Sequence, residues 1–140
     1  MGFGEMEWEF SESNEGGNFM ATGKVVTFLR NHLARGEMEK ALGLYESCAE
    51  NVGDEMLLEF PTASSRLQKA MANMFFRARD YKRAALACEQ LSEWEAAARS
   101  YEASYDYKKA AACYLRANKA DKAAAIFQKS GDFHKAAELY

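Results

Sequence analysis

Apolar positions recur every thirteen residues along the second half of the chain, between Asp80 and Tyr140. Two adjacent columns of this repeat are alanine, and the column four residues after the first alanine is aromatic in most copies. The three columns are Ala84, Ala97, Ala110, Ala123 and Ala136; Ala85, Ala98, Ala111, Ala124 and Ala137; and Cys88, Tyr101, Tyr114, Phe127 and Tyr140. Within one copy these positions form an apolar stripe at helical spacing. Thirteen residues allow a helix of about ten residues, roughly 15 Å long, and a tight turn.

Helices this short are not stable in water by themselves. They must stack on their neighbours, and paired alanines let two helix backbones approach each other closely. The pattern therefore predicts an all-α solenoid in which successive helices bury one another's apolar stripes. This architecture is typical of proteins that hold a partner, although the repeat does not identify that partner.

Two further helices are predicted ahead of the regular array, over residues 24–35 and 37–51, with Gly36 at the turn between them. The second of these helices belongs to the same repeat, because Ala41 and Tyr45 occupy its alanine and aromatic columns. The repeat is therefore expected to run through the whole of the helical domain.

Residues 52–62 interrupt the repeat. Pro61 disfavours the helical conformation at the residue before it, but the neighbouring residues are too apolar for a free loop, so a short helical turn is expected. A longer helix is predicted over 63–79, with Ser64 or Ser65 as its N-cap. Pairing successive helices gives four antiparallel hairpins: 24–35 with 37–51, 63–79 with 81–91, 93–104 with 106–117, and 119–130 with 132–140.

Turn and cap chemistry is predicted at several points of the array. Ser92 and Glu95 have the spacing of a capping box at the start of a helix. Asn118 and Gly131 lie at turns, where a residue in the left-handed conformation is favoured. Asp106 favours a helix N-terminus because its carboxylate can cap free backbone amides.

Two domains are predicted from composition: an acidic-aromatic, flexible tail over 1–22 and a helical repeat domain over 23–140. The tail alternates acidic and apolar residues with the period of a strand, but no second strand is predicted to pair with it. Its centre is the segment that contains Glu5, Glu7, Trp8, Glu9 and Phe10. Two interpretations remain open: a disordered tail or tag remnant, and a linear motif that docks on a protein surface.

Charge is distributed unevenly along the chain, whose formal net charge is −3. Residues 1–62 contain four Lys/Arg and twelve Asp/Glu, whereas residues 63–140 contain fourteen Lys/Arg and nine Asp/Glu. The basic second half favours an acidic partner, and the acidic total argues against nucleic acid. No apolar stretch is long enough to predict a membrane span, and the N-terminus lacks the pattern of a signal peptide.

The residues that could perform chemistry are few. His32 and His134 have no further ligand at metal-binding spacing, and no nucleophile or phosphate-binding motif occurs. The chain has three cysteines and no C-x-x-C, which favours a reducing compartment, the cytoplasm by default. Cys88 stands in the aromatic column, so a structural thiol is the favoured interpretation. No catalytic residue, metal or cofactor is therefore predicted, and the chain is expected not to be an enzyme.

The segment Asp106–Tyr114 has the pattern acid-aromatic-x-Lys-Ala-Ala-x-x-Tyr. This pattern resembles the second helix of tetratricopeptide repeats, and its short form resembles the soluble NSF attachment proteins and intraflagellar transport subunits. The resemblance covers residues 24–140 and implies a right-handed solenoid of antiparallel hairpins that binds proteins. The chain departs from the family pattern because its hairpins span 26 residues after residue 92 and have no proline between repeats.

Basic and polar residues cluster on one face of the helix predicted over 63–79: Arg66, Lys69, Asn73, Phe76 and Arg77. One interpretation is a solvated face opposite the apolar stripe. The other follows from the resemblance, since the first helix of each tetratricopeptide hairpin lines a groove in which Lys-x-x-x-Asn holds peptide carboxylates. Lys69 and Asn73 match that pair, and Arg30 corresponds to the same face one hairpin earlier.

Two functions are therefore carried forward. The first is a non-enzymatic scaffold or adaptor whose helical groove binds an acidic peptide or partner helix. The second is a structural or regulatory oligomerisation module of a larger signalling or trafficking protein, with the effector domain outside this chain. Affinity capture of a partner favours the first, whereas a longer sequence beyond Tyr140 favours the second.

Self-association is expected through either end of the chain. The last unit stops on the aromatic column at Tyr140, which indicates a truncated solenoid with an exposed apolar end. The tail is the other candidate, because its glutamates suit the basic face and Trp8 can pack against Phe76. The linker over 11–22 spans about 40 Å when extended, which is enough to reach a groove.

Overall fold

The computed structural model describes the backbone of residues 15–139, and the side chains of residues 23–48 and 52–139. Every regular element in this range is a helix, so the expectation of an all-α fold is confirmed for the described residues. The elements are α1 (Glu15–Ala34), α2 (Met38–Glu59), a 3-10 turn (Phe60–Thr62), α3 (Ser65–Arg77), α4 (Tyr81–Gln90), α5 (Trp94–Ala103), α6 (Tyr107–Arg116), α7 (Ala120–Lys129) and α8 (Phe133–Leu139). Among the described helices, none combines the length and the apolar character that crossing a bilayer requires.

The chain divides into two compact units, Met1–Glu59 and Phe60–Tyr140. In the first unit α1 packs on α2, with Leu29 and Leu33 of α1 and Ala41 and Tyr45 of α2 all buried. Gly36 has a φ of 79° at the turn between the two helices, which confirms the predicted role of this glycine. The predicted membership of Ala41 and Tyr45 in the core columns is confirmed as well.

Both helices of the first unit are longer than predicted. Helix α1 begins at Glu15 rather than near Lys24. Helix α2 continues to Glu59 across a kink at Cys48, where φ is −133° and ψ is 15°. The short turn expected over 52–62 is therefore wrong for most of that stretch: the chain stays helical after the kink, and only Phe60–Thr62 forms a tight turn.

In the second unit each helix from α3 to α8 packs on the next helix in the sequence. The alanine columns lie at these contacts and are buried from Ala84 and Ala85 as far as Ala123 and Ala124, which confirms their predicted place in the core. Ala136 is also buried, but its neighbour Ala137 is exposed on α8. Such close packing of short helices is an arrangement compatible with a helical repeat.

The turns between these helices are equivalent to one another. The last residue of each thirteen-residue unit has a positive φ: Arg79 (63°), Ser92 (58°), Tyr105 (65°), Asn118 (61°) and Gly131 (87°). After each turn residue, the next backbone amide donates to a carbonyl five residues earlier, as in the bond of 2.9 Å from Glu93 to Cys88. This is the closing bond of a Schellman motif, so one turn geometry recurs with five different side chains.

The geometry of the turns shows which of the predicted turn and cap residues are correct. Asn118 and Gly131 are left-handed as predicted. The capping box at Ser92 is wrong, because Ser92 is itself the left-handed residue and α5 begins only at Trp94. Ser64 and Asp106 do cap their helices: the side chain of each accepts a hydrogen bond from a backbone amide three residues later.

Helices α5 and α7 lie side by side and run in the same direction. Lys122 of α7 bonds Glu95 of α5 at 2.5 Å, and Lys129 of α7 bonds Glu102 of α5 at 2.6 Å. Both bonds span 27 residues, so the two helices are in register along their length. Helix α6 connects α5 and α7 in the sequence, so these two parallel helices are alternate members of the series.

Candidate functional site

A cleft opens on the second unit between α3, the end of α4 and the first half of α5, with a volume of about 370 Å³. Its floor contains Ala72, Cys88 and Ser100, which are all buried. The Ser100 hydroxyl donates to the backbone oxygen of Ala96 at 3.1 Å, so its hydrogen is used within α5, and the residue is fully buried. The floor therefore presents an apolar surface to anything that enters the cleft.

The thiol of Cys88 adds no charge to this floor at neutral pH. Burial, with a smaller contribution from the carboxylate of Glu93, raises the pKa of Cys88 to about 11. Burial likewise raises the pKa of Cys113 to about 11 and the pKa of Cys48 above its usual value. Because the thiolate is the reactive form, these shifts oppose nucleophilic chemistry at all three cysteines.

One wall of the cleft is the side chain of Phe76, which is 42% exposed. Its ring meets the edge of Tyr81 with centroids 5.3 Å apart and an interplanar angle of 73°. This edge-to-face contact holds the ring in place at the end of α3. Leu91 also lines the cleft and is half-buried, so the side walls are apolar as well.

The rim of the cleft is polar and carries more positive than negative charge. Lys69, Asn73, Glu93 and Arg99 line it and are exposed. Neither Lys69 nor Arg99 forms an ion pair with any residue that the structure describes, in contrast to Lys122 and its partner on α5. The rim therefore combines two available cations with one carboxylate above an apolar floor.

The residues of the predicted basic face separate into two groups. Lys69, Asn73 and Phe76 line the cleft, whereas Arg66 and Arg77 are exposed on α3 and do not line it. Arg30 lies in the first unit and forms an ion pair with Glu59, where it is half-buried. The predicted docking motif of Glu5, Glu7, Trp8, Glu9 and Phe10 lies outside the described residues.

A side-chain arrangement that recurs along the second unit explains why the cleft lies where it does. We define the inter-repeat triad as three positions on three consecutive helices: an acceptor, the aromatic column twelve residues later, and a lysine position eight residues after that. The four triads are Phe76, Cys88 and Ala96; Glu89, Tyr101 and Lys109; Glu102, Tyr114 and Lys122; and Leu115, Phe127 and Lys135.

In the two central triads the three side chains contact one another. The hydroxyl of Tyr114 donates to Glu102 at 3.2 Å, and the amine of Lys122 lies 5.9 Å from the centre of the Tyr114 ring. Burial and the neighbouring Glu89 raise the pKa of Tyr101, and the amine of Lys109 lies 5.6 Å from that ring. Each ring is thus enclosed between a carboxylate and a lysine from the helices on either side.

In the fourth triad apolar residues replace the carboxylate and the tyrosine, but a lysine still lies over the ring. Leu115 replaces the carboxylate and Phe127 replaces the tyrosine, so the hydroxyl and its acceptor are absent together. The amine of Lys135 still lies 5.6 Å from the centre of the Phe127 ring. Because both residues are replaced together, no carboxylate is left beside the Phe127 ring without a hydroxyl to donate a hydrogen bond to it.

The first triad differs from the others at all three positions, and all three of its members line the cleft. Cys88 stands where a ring is buried in the later triads, and Ala96 stands where a lysine covers that ring. Phe76 replaces the carboxylate. The cleft is therefore the space that the ring and lysine fill elsewhere in the unit.

Sequence reasoning predicted three of the ten residues that line this cleft: Lys69, Asn73 and Phe76. The interruption of the aromatic column at Cys88 is visible in the sequence, but the second interruption at Ala96 acquires meaning only when the lysine is known to lie over the ring. Arg99 was also missed, since the neighbouring members of its column, Leu86 and Ala112, are apolar or small. Among the described residues no cluster of three His, Cys, Asp or Glu side chains could hold a metal ion.

No family model matches the chain, and neither a curated protein nor a solved structure matches it. The class of the protein is therefore stated from its own structure. The described residues form an all-α fold whose consecutive helices pack on their neighbours, compatible with a helical repeat. On the second unit the described residues form the cleft beside Cys88.

Proposed function

We propose that this chain is a non-enzymatic interaction module whose cleft binds an acidic peptide or partner helix. The architecture proposed for it is a right-handed solenoid of antiparallel hairpins, similar to tetratricopeptide repeats. The parallel course of α5 and α7, with α6 between them in the sequence, supports the antiparallel pairing. The equivalent turns support a regular rotation from one helix to the next.

The observation that carries this proposal is the pair of available cations above an apolar floor. Lys69 and Arg99 lie on the rim of the cleft without ion-pair partners among the described residues. Lys122 and Lys129, by contrast, are neutralised by carboxylates of α5. Cations that lack a partner attract carboxylates from solution, and an apolar floor supplies the affinity that exposed charges alone do not.

The proposal extends to what the chain does not do. Raised thiol pKa values oppose nucleophilic chemistry, and the net charge of −3 opposes binding to nucleic acid. A cytoplasmic location is proposed with it, because Cys48, Cys88 and Cys113 are all free thiols, which suits a reducing compartment.

A displayed library of random peptides provides the test. The parent chain is expected to enrich sequences rich in Asp and Glu, and one enriched peptide is then labelled and titrated by fluorescence anisotropy. Lys69→Glu combined with Arg99→Glu should weaken binding by about tenfold or more, because attraction becomes repulsion. Lys82→Glu combined with Lys108→Glu changes the same charge on exposed residues that do not line the cleft, and should leave affinity nearly unchanged. Enrichment of basic peptides, or equal loss in both variants, would contradict the proposal.

A second function, a module for oligomerisation within a larger protein, is favoured by the surface of α8. Phe133 is 67% exposed, and Ala137 is exposed although the same column is buried in the preceding units. Exposed apolar surface of this kind marks a contact site. Sedimentation of the parent and of Phe133→Glu separates the two functions, since a monomeric parent argues against the second.

A further inference from the structure

The cleft lacks two groups that the later triads contain, and this gives a more specific account of its ligand. At the equivalent place one unit later, the ring of Tyr101 is buried with a lysine amine 5.6 Å from its centre. At the cleft, Cys88 and Ala96 leave the corresponding space open. The faces that enclose a ring elsewhere are therefore present here without a ring.

We infer that the cleft binds an aromatic side chain flanked by carboxylates, supplied by a partner peptide in place of the ring that the first triad lacks. This inference rests on the proposed function and specifies its ligand. The ring would lie on the floor at Ala72 and Cys88, beside Ala96, with its edge against Phe76. The cavity of about 370 Å³ is sufficient for such a group, since pockets that hold small ligands measure about 300–1,000 Å³.

The chemistry of the floor favours an aromatic ring over a polar side chain. The hydroxyl hydrogen of Ser100 is used within its own helix, Ser100 is fully buried, and the thiol of Cys88 is uncharged at neutral pH. A polar group that entered the cleft would lose its water without gaining a partner on the floor. The wall adds a further preference, because Phe76 offers a ring whose position is fixed by Tyr81 and can pack against a second aromatic group.

The charges on the rim determine what flanks the ring. Lys69 on α3 and Arg99 on α5 border the same cleft, so carboxylates on both sides of the aromatic residue can each approach a cation. Glu93 lies on the same rim and opposes them. Two cations against one carboxylate favour an acidic flank, and the guanidinium of Arg99 can also lie over an aromatic face.

The experiment compares three synthetic peptides by isothermal titration calorimetry: a tryptophan between two pairs of glutamates, an alanine in the same frame, and a tryptophan between two pairs of glutamines. The chain contains Glu7, Trp8 and Glu9, so a Trp8→Ala background removes competition from its own acidic-aromatic segment. The first peptide is expected to bind about tenfold or more tightly than either of the others. Glu93→Gln should tighten its binding, since one repulsive charge is removed.

Filling the cleft provides the matched variant. Cys88→Tyr restores the ring of the later triads and should abolish binding of the tryptophan peptide, whereas Ala112→Tyr adds the same group at an exposed position of α6 and should not. If Cys88→Tyr fails to fold, Cys88→Leu narrows the same recess with a smaller apolar group and should weaken binding instead, with Ala112→Leu as its exposed control.

The outcomes separate this inference from the proposed function. Equal binding of the tryptophan and alanine peptides, with loss in Lys69→Glu, would overturn the inference and leave an acidic-peptide module standing. Binding to Cys88→Tyr as strong as to the parent would also overturn it. Failure of every acidic peptide from both experiments to bind would overturn the inference and the proposed function together.

Discussion

Two successive helix–turn–helix steps of the second unit, α4 to α5 and α5 to α6, have the same turn geometry. They differ in what lies between their helices. At both steps the turn closes with a bond of 2.9 Å, from Glu93 to Cys88 and from Asp106 to Tyr101. In the step at Tyr101 a ring fills the space and is only 4% exposed, but in the step at Cys88 a cleft remains. The alanines and the turns therefore maintain the stacking, and the ring does not have to be present for the helices to pack.

This comparison shows how a helical repeat can produce a site by omission. A solenoid of identical units presents the same filled surface at every step. Replacement of a ring by a thiol and of a lysine by alanine leaves an apolar recess of defined shape without changing the backbone. Substitutions at either step should therefore change stability by different amounts, from the loss of a buried ring to the gain of a single hydrogen bond.

Removing the ring and the lysine from the second triad is expected to have the largest effect on stability. Tyr101→Cys combined with Lys109→Ala gives the second triad two of the residues found at the cleft. Loss of a buried ring should lower the free energy of unfolding by about 2–4 kcal/mol, measured by chemical denaturation. Lys109→Ala alone serves as the control and should cost less than about 1 kcal/mol, because its contact with the ring is exposed. A double variant as stable as the parent would show that the ring contributes nothing to packing.

The second prediction concerns the alanines that the two steps share. Ala97→Leu and Ala110→Leu each add three carbon atoms at a fully buried contact between helices. Overpacking should lower the free energy of unfolding by about 1–3 kcal/mol in each variant. Ala112→Leu makes the same change at an exposed position of α6 and should alter stability by no more than about 0.5 kcal/mol. If Ala97→Leu and Ala110→Leu are as stable as Ala112→Leu and the parent, the close approach of backbones does not maintain the stacking.

The shared features could be predicted from the sequence because they depend on local periodicity. Two alanines at fixed positions in every unit define a contact stripe, and a thirteen-residue period leaves room for only one helix and one turn. The errors arose where local rules compete. Ser92 has the side chain of an N-cap but occupies the left-handed turn position, which the length of the unit imposes on it. The kink at Cys48 has neither glycine nor proline next to it to indicate it.

The cleft could be predicted only in part, for a different reason. Lys69, Asn73 and Phe76 share one helix face, so their spacing alone placed them together. Apart from Ala72, the remaining members lie on α4, on α5 or in the turn between them, and their approach depends on how three helices stack. Residues twelve and eight positions apart meet in the triad because of that stacking, and neither interval is a helical spacing. The significance of Cys88 and Ala96 therefore becomes clear only from the structure.

The smallest expected effect comes from converting the apolar triad into a polar one. Leu115→Glu combined with Phe127→Tyr gives the fourth triad the pair that Glu102 and Tyr114 form. The new hydroxyl gains an acceptor only when both changes are present. The two substitutions should therefore be coupled favourably by about 0.5–1.5 kcal/mol at pH 7, measured with a double-mutant cycle of unfolding free energies.

The pH dependence of that coupling shows whether the hydrogen bond is its source. Burial and then the charge and hydrogen bond of Glu102 raise the pKa of Tyr114, and the tyrosine introduced by Phe127→Tyr should shift in the same direction beside Leu115→Glu. A phenol whose pKa is raised by folding stabilises the fold fully below its unfolded value of about 10. That contribution is lost as the pH rises through the folded pKa. The coupling should thus be constant from pH 6 to about 9 and decline above about 10, followed by absorbance of the phenolate; a coupling of zero at pH 7 would show that the paired replacement of Leu115 and Phe127 has no energetic basis.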